Sequence, residues 1–352
     1  MSPRPPAPAF ALILAATAAA FPLALAPAPA ARAGEPTVKS VAFHSPAIDR
    51  IMTYKVALPD DYDSPGGRRY PVLYLLHGFS SNDTSWAKLG APKAAQGLGL
   101  IVVMPDAGNS WYLNWAESEG LARNAWEDYI VKDLIGHVDA TLRTIPAREG
   151  RAINGLSMGG YGGIVLGLKH PDLFCSIGSH SGALGFARSA GERLRGGQPA
   201  PRRKGEPTDT PNPDIATEGF RSQAERTPKG KLFAKPEDAD AADPFRLVLA
   251  VPAEKRPHIY VDCGTEDGLI GASRDFVKLL ADHKVAFTYA ESPGGHNPPY
   301  WSREIGTSVA VQSAVIRRNL AARKEDPGTP EPPKAEEKPK AEEKPKEKVG
   351  AP

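Results

Sequence analysis

Ile153-Asn154-Gly155-Leu156-Ser157-Met158-Gly159-Gly160-Tyr161-Gly162-Gly163 gathers five glycines around one serine. Glycine weakens strands and helices alike, so such a cluster asks for a physical reason. Gly155-Leu156-Ser157-Met158-Gly159 has the G-x-S-x-G form of a sharp strand-to-helix turn that raises a serine at its apex. A Cβ at 155 or 159 would crowd the adjoining strand and helix, and Gly160, Gly162 and Gly163 would let that helix pack close to a sheet. The competing reading is a glycine-rich structural turn. The context favours the elbow, because a short strand reaches Asn154 and a helix runs on to His170-Pro171.

The flanking sequence predicts the sheet that such an elbow needs. Tyr70–Leu76 (YPVLYLL) and Leu98–Met104 (LGLIVVM) are unbroken apolar runs, as in parallel strands buried on both faces. Residues 37–58 hold two further strands around Ser45-Pro46, and Phe174–Ser179, Pro257–Cys263 and Val285–Ala290 read as three more. Trp126–Leu142 has the apolar spacing of an amphipathic helix, with helices also predicted over Phe276–His283 and Ser308–Ala322. Strands alternating with helices imply an α/β class with a mostly parallel central sheet flanked by helices. Residues 185–245 break that rhythm with a polar stretch, carrying 11 basic and 6 acidic side chains over 185–235. This stretch reads as an insertion after the strand that follows the serine helix. It is part lid and part loop, or else a solvated loop without function.

A serine nucleophile needs a base and an acid that orients it. In elbow-bearing folds the chain order is serine, acid, histidine. His44, His77 and His137 precede Ser157, and His170, His258 and His283 sit at element ends. His180 follows too closely to be the base and is kept as a residue lining the site. His296 remains, in the loop Ser292-Pro293-Gly294-Gly295-His296-Asn297. For the acid, Asp262, Glu266 and Asp267 compete; Asp267, in the loop beyond the strand, is chosen, with Glu266 second. The oxyanion donors are the amide after the nucleophile, Met158, and that of Phe79 in the His77-Gly78-Phe79 loop. Asn109–Trp115 (NSWYLNW), with Trp86, offers a wall of Trp111, Tyr112 and Trp115 for an acyl, aryl or sugar group, or else an ordinary packed loop.

The termini differ from this core. Residues 1–33 read as a signal peptide, with Arg4, an apolar run over Ala9–Ala26 and an Ala31-Arg32-Ala33 cleavage site. Cleavage removes Arg4 and Arg32, which leaves 41 basic against 41 acidic side chains. That balance gives no electrostatic footprint for nucleic acid. The expectation is a secreted or periplasmic protein with no stable membrane insertion after cleavage. Residues 324–352 repeat Pro, Lys, Glu and Ala, and no core can form from them, so they read as a disordered spacer or a weak cell-wall contact. Residues 34–323 form the one folded domain. Cys175 and Cys263 are expected to be buried thiols rather than a disulfide.

Taken together, the HGF loop, the GLSMGGYGG elbow, the GTEDGLI loop at 264–270 and the GGHN loop at 294–297 resemble a known family. It is the α/β-hydrolase esterases, which include esterase D (S-formylglutathione hydrolase), feruloyl esterases and the antigen 85 mycolyltransferases. The resemblance covers residues 37–322 apart from much of 185–245. It implies an α/β-hydrolase fold and a serine esterase that needs no metal or cofactor. In the feruloyl and acetyl-xylan esterase branch the Asp of the GTxD loop is catalytic, which implies Asp267 over Glu266. The SWYLNW stretch is similar to an aromatic segment of the mycolyltransferases, so acyl transfer to a sugar hydroxyl stands as the alternative to hydrolysis of a small or polysaccharide-linked ester.

Overall fold

The computed structural model describes residues 36–120, 123–197 and 226–325. The expected signal peptide, the tail beyond 325 and the middle of the insertion lie outside the described residues. An eight-stranded sheet organises the rest. Its edge is an antiparallel hairpin, β1 (Val38–Ser45) with β2 (Arg50–Ala57), in which exposed and buried residues alternate. Then come β3 (Val72–Leu76), β4 (Ile101–Pro105), β6 (Arg151–Gly155), β7 (Ser176–His180), β9 (His258–Gly264) and β10 (Phe287–Ser292). The spatial order is β1-β2-β4-β3-β6-β7-β9-β10, and every pairing from β4 to β10 is parallel. A separate two-stranded ribbon joins β5 (Glu117–Ser118) to β8 (Gly230–Lys231). This is the α/β-hydrolase arrangement expected from the sequence.

Burial explains why the central runs carry no polar alternation. In β3, Val72, Tyr74 and Leu76 face one core while Leu73 and Leu75 face the other; in β4, Ile101 and Val103 oppose Val102 and Met104. Each face is covered by helices, so both sides of a strand need apolar side chains. Segment 126–141 and helix Met158–Lys169 lie against the first core. Residues 129–134 within that segment are π-helical. The long helix Pro298–Glu325 covers the second core with Tyr300, Trp301, Ile305 and Val309.

Two helices start earlier than the sequence spacing predicts. The helix expected from Ser308 begins at Pro298, and the one expected from Phe276 begins at Ile270. Prolines suit a first helical turn, where a missing N–H costs nothing. The next residues carry Tyr300 and Trp301 into the core although Ser302, Arg303 and Glu304 follow them. Cys175, just ahead of β7, and Cys263, within β9, are both free and buried. Among the described residues no helix is long and apolar enough to cross a membrane.

The register lines up the carboxyl ends of the strands. Leu76 pairs with Gly155, His180 with Asp262 and Ser292 with Gly264. Loops leaving β3, β6, β7, β9 and β10 therefore emerge along one edge, where open α/β sheets build their sites.

Candidate active site

Ser157 sits at that edge with φ 55 and ψ −116, a conformation that side chains rarely adopt. Such backbone costs about 1–3 kcal/mol and persists only where its surroundings hold it. Here they do. The Leu156 amide donates to the Leu76 carbonyl of β3 and the Ser157 amide to the His180 carbonyl of β7. The Ser157 carbonyl accepts from Tyr161 and Ala183. A Cβ on Gly155 would come within 2.3 Å of the Gly159 carbonyl, and one on Gly159 within 2.2 Å of the Leu76 carbonyl. The two glycines are what let strand, turn and helix close on each other.

His296 reaches back from the loop after β10. Its Nε2 lies 2.9 Å from Ser157 Oγ and its Nδ1 2.9 Å from Asp267 Oδ2. For Ser157 to donate to Nε2, the proton must sit on Nδ1 and be donated to Asp267. Asp267 is fully buried and accepts the Leu269 amide at Oδ1. Burial raises its carboxyl pKa, but the His296 imidazole and the Leu269 amide outweigh that and hold it below the usual range. Trp301 packs edge-on against the imidazole, with ring centres 5.0 Å apart.

Glu266, the second candidate for the acid, does a different job. Its carboxylate accepts the Gly294 amide, and its own amide donates to the Gly294 carbonyl at 3.0 Å. It therefore ties the loop that carries His296 to the loop that carries Asp267. Asp262, the third candidate, points into the interior, where Oδ2 lies 2.7 Å from His180 Nδ1.

The loop after β3 abuts the elbow. A Cβ on Gly78 would lie 3.4 Å from Ser157 Cβ and 2.5 Å from Leu156 Cδ1. His77 Nε2 accepts the Ala107 amide at 3.0 Å, which leaves its proton on Nδ1 to be donated to the Gly78 carbonyl at 2.8 Å. A trans peptide points its C=O and N–H in opposite directions. Anchoring the Gly78 carbonyl therefore turns the Phe79 N–H the other way. Met158 begins the helix, where an amide has no carbonyl one turn back to bond. The helix N-terminus favours negative charge near both donors.

The expected aromatic wall divides in two. Trp111 stays beside the site, with its ring centre 6.3 Å from that of Phe79, and Trp115 is half-buried with its Nε1 donating to the Ser110 carbonyl. Trp111 and Tyr112 both have φ 59, so the loop is held in a strained left-handed turn. Trp86, Tyr112 and His180 are corrected: all three are buried at 1 % exposure or less and present no surface to a ligand. Trp86 Nε1 donates to the Leu76 carbonyl, and the Tyr112 hydroxyl donates to the His77 carbonyl. His180 joins Asp262, Ser308 Oγ at 2.8 Å and Asn154 in a polar network beneath the elbow. Tryptophan, tyrosine and histidine beside a nucleophile serve packing as readily as binding, and sequence spacing does not tell the two apart.

Other site residues escaped the sequence reading. Phe186, at the start of helix Phe186–Leu194, stacks flat on Trp111 with ring centres 3.4 Å apart, and Phe233 lies 5.9 Å from Phe186. Both belong to the segment read as an insertion, whose described parts pack beside the site. Segment 226–232 runs along the loop after β4, with Asn109 donating to the Arg226 carbonyl and Ala116 to that of Leu232. Phe186 and Phe233, set among polar residues, were a signal for this in the sequence. Among the described residues no group of three or more His, Cys, Asp or Glu is placed to hold a metal ion.

The model of a family described as putative esterase matches residues 45–310. An esterase of Mycobacterium tuberculosis is 29% identical over 265 residues, which are 74% of this chain and 56% of that protein. The chain thus spans little more than half the length of that relative. An acetyl esterase of Caldicellulosiruptor saccharolyticus is 26% identical over 288 residues, 79% of this chain and 98% of the relative. Among solved structures, a fluorophosphonate-binding serine hydrolase of Staphylococcus aureus superposes with a TM-score of 0.61 at 24% identity, over 80% of this chain and 99% of that one.

Proposed function

The chain belongs to the putative esterase family, and from that premise we propose that it is an exported serine esterase that cleaves a carboxylic ester through Ser157, His296 and Asp267. The observation that carries the reading is the continuous line from Ser157 Oγ through His296 to Asp267, built on a strained elbow. Ser157 Oγ attacks the ester carbonyl while His296 Nε2 takes its proton. Asp267 holds the imidazole in the required tautomer and stabilises the imidazolium. The amides of Met158 and Phe79 receive the developing oxyanion. His296 then protonates the departing alcohol, leaving an acyl-enzyme, and a water activated by the same imidazole releases the acid.

A feruloyl- or acetyl-xylan-type ester fits the relatives' chemistry and the aromatic flank of Phe79, Trp111 and Phe186. Export is inferred from the cleavable leader over 1–33. The similarity of the SWYLNW stretch to mycolyltransferases supports a second reading, in which a sugar hydroxyl replaces water in the deacylation step. A fluorophosphonate probe tests the first step. Labelling at Ser157, abolished in Ser157→Ala, is the expected result; folded protein that takes up no label refutes the reading. Product analysis with methyl ferulate, acetylated xylan and an added sugar then separates hydrolysis from transfer.

A further inference from the structure

The end of the described insertion does more than cover the loop after β4. Arg226 Nη2 donates to Asp106 Oδ1 at 2.6 Å and to the Ser81 carbonyl at 2.8 Å. Asn109, only 1 % exposed, donates its amide to the Arg226 carbonyl at 3.0 Å and its Nδ2 to Thr227 Oγ1 at 3.0 Å. Its Oδ1 accepts the Ser80 amide at 2.8 Å. Ser80 has φ 63, so the turn that follows Phe79 is strained and needs anchoring. The Ser81 amide closes that turn on the Gly78 carbonyl at 3.2 Å. The fit is tight: a Cβ on Gly108 would lie 2.5 Å from the Arg226 carbonyl.

The Gly78 carbonyl and the Phe79 N–H belong to one rigid peptide plane. His77 and Ser81 pin the carbonyl, Asn109 pins the Ser80 amide, and Arg226 pins the Ser81 carbonyl. The two residues after Phe79 are thus tied to a segment more than 140 positions away, Ser81 directly and Ser80 through Asn109. Resting on the esterase reading above, we propose that Arg226 and Asn109 are positioning residues of the oxyanion site, latching the Gly78–Ser81 turn so that the Phe79 amide faces the reacting carbonyl. Neither side chain touches substrate. An oxyanion donor acts only when it is already aimed at the developing charge, so slackening the turn costs transition-state binding rather than ground-state binding.

The full chain and its variants Arg226→Met, Arg226→Lys and Asn109→Ala would be compared on p-nitrophenyl acetate, with a trifluoromethyl ketone as a tetrahedral mimic. Circular dichroism confirms that each variant is folded. Arg226→Met is expected to lose about tenfold in kcat with KM within twofold, and a similar factor in affinity for the ketone. Arg226→Lys restores part of both. Asn109→Ala loses up to about 100-fold. Hydrogen exchange at the Ser80 amide is expected to quicken at least tenfold in both disrupting variants. Unchanged kcat, a loss confined to KM, or an unchanged Ser80 exchange rate overturns the latch. Wild-type protein that turns over no ester overturns the esterase reading instead, and the exchange rates still decide whether the turn is latched.

Discussion

Asp267 Oδ2 and His296 Nδ1 stand 2.9 Å apart with the carboxylate fully buried, so the imidazole has one orientation open to it. Asn at 267 keeps the size of the side chain but can turn a donor towards Nδ1 and favour the wrong tautomer. Asp267→Asn should therefore lower kcat by about 10³–10⁴-fold with little change in KM. Steady-state kinetics on a p-nitrophenyl ester checks it, and a loss below tenfold would remove Asp267 from the role of orienting acid.

Glu266 braces the base loop without touching Ser157. Its carboxylate is exposed, so its removal should leave folding intact while letting the Gly294–His296 segment drift. Displacements of an ångström at reacting groups cost up to about 100-fold. Glu266→Ala is expected to retain its melting temperature and lose about tenfold in kcat, whereas Glu266→Gln, still an acceptor for Gly294, keeps most of it.

His180 and Asp262 meet at 2.7 Å with neither side chain exposed. Removing the imidazole leaves a buried carboxylate, to which the Tyr300 hydroxyl still donates at 3.1 Å. His180→Ala should cost about 3–5 kcal/mol in denaturant unfolding. Folded protein at low temperature should still take the fluorophosphonate label, because the Ser157 amide bonds the backbone carbonyl of His180 rather than its ring.

Asp106 gives the fold an acid limit. Burial raises its carboxyl pKa, while the Gly108 amide and the Arg226 guanidinium lower it, and it stays below the usual carboxylate range. A carboxyl depressed on folding contributes stability above its unfolded value and loses it as pH falls through the folded one. The loss therefore begins as pH falls through the ordinary carboxylate value of 3.8. Asp106→Asn should be less stable than wild type at pH 7, with the difference shrinking below pH 4; a constant gap between the two unfolding curves contradicts it.

Reading along the chain found the class of the sheet, because strands buried on both faces must be apolar throughout. It pointed to Ser157 because an elbow can be made only with glycines at 155 and 159, and to His296 because chain order excludes His44, His77 and His137 while the other later histidines sit at element ends or too close to Ser157. Local residue types carry those constraints, so sequence alone determined them. The division of labour between Glu266 and Asp267 depends on the meeting of loops from β9 and β10, which adjacent acids in sequence do not encode. The same holds for His180, Trp86 and Tyr112, which spacing placed at the substrate and folding placed in the interior. The attachment of Arg226 and Asn109 to the turn after Phe79 is likewise a decision of the tertiary structure. Hydrogen bonds between residues 29 or 145 positions apart leave no periodicity in the chain, and only packing chooses the partner.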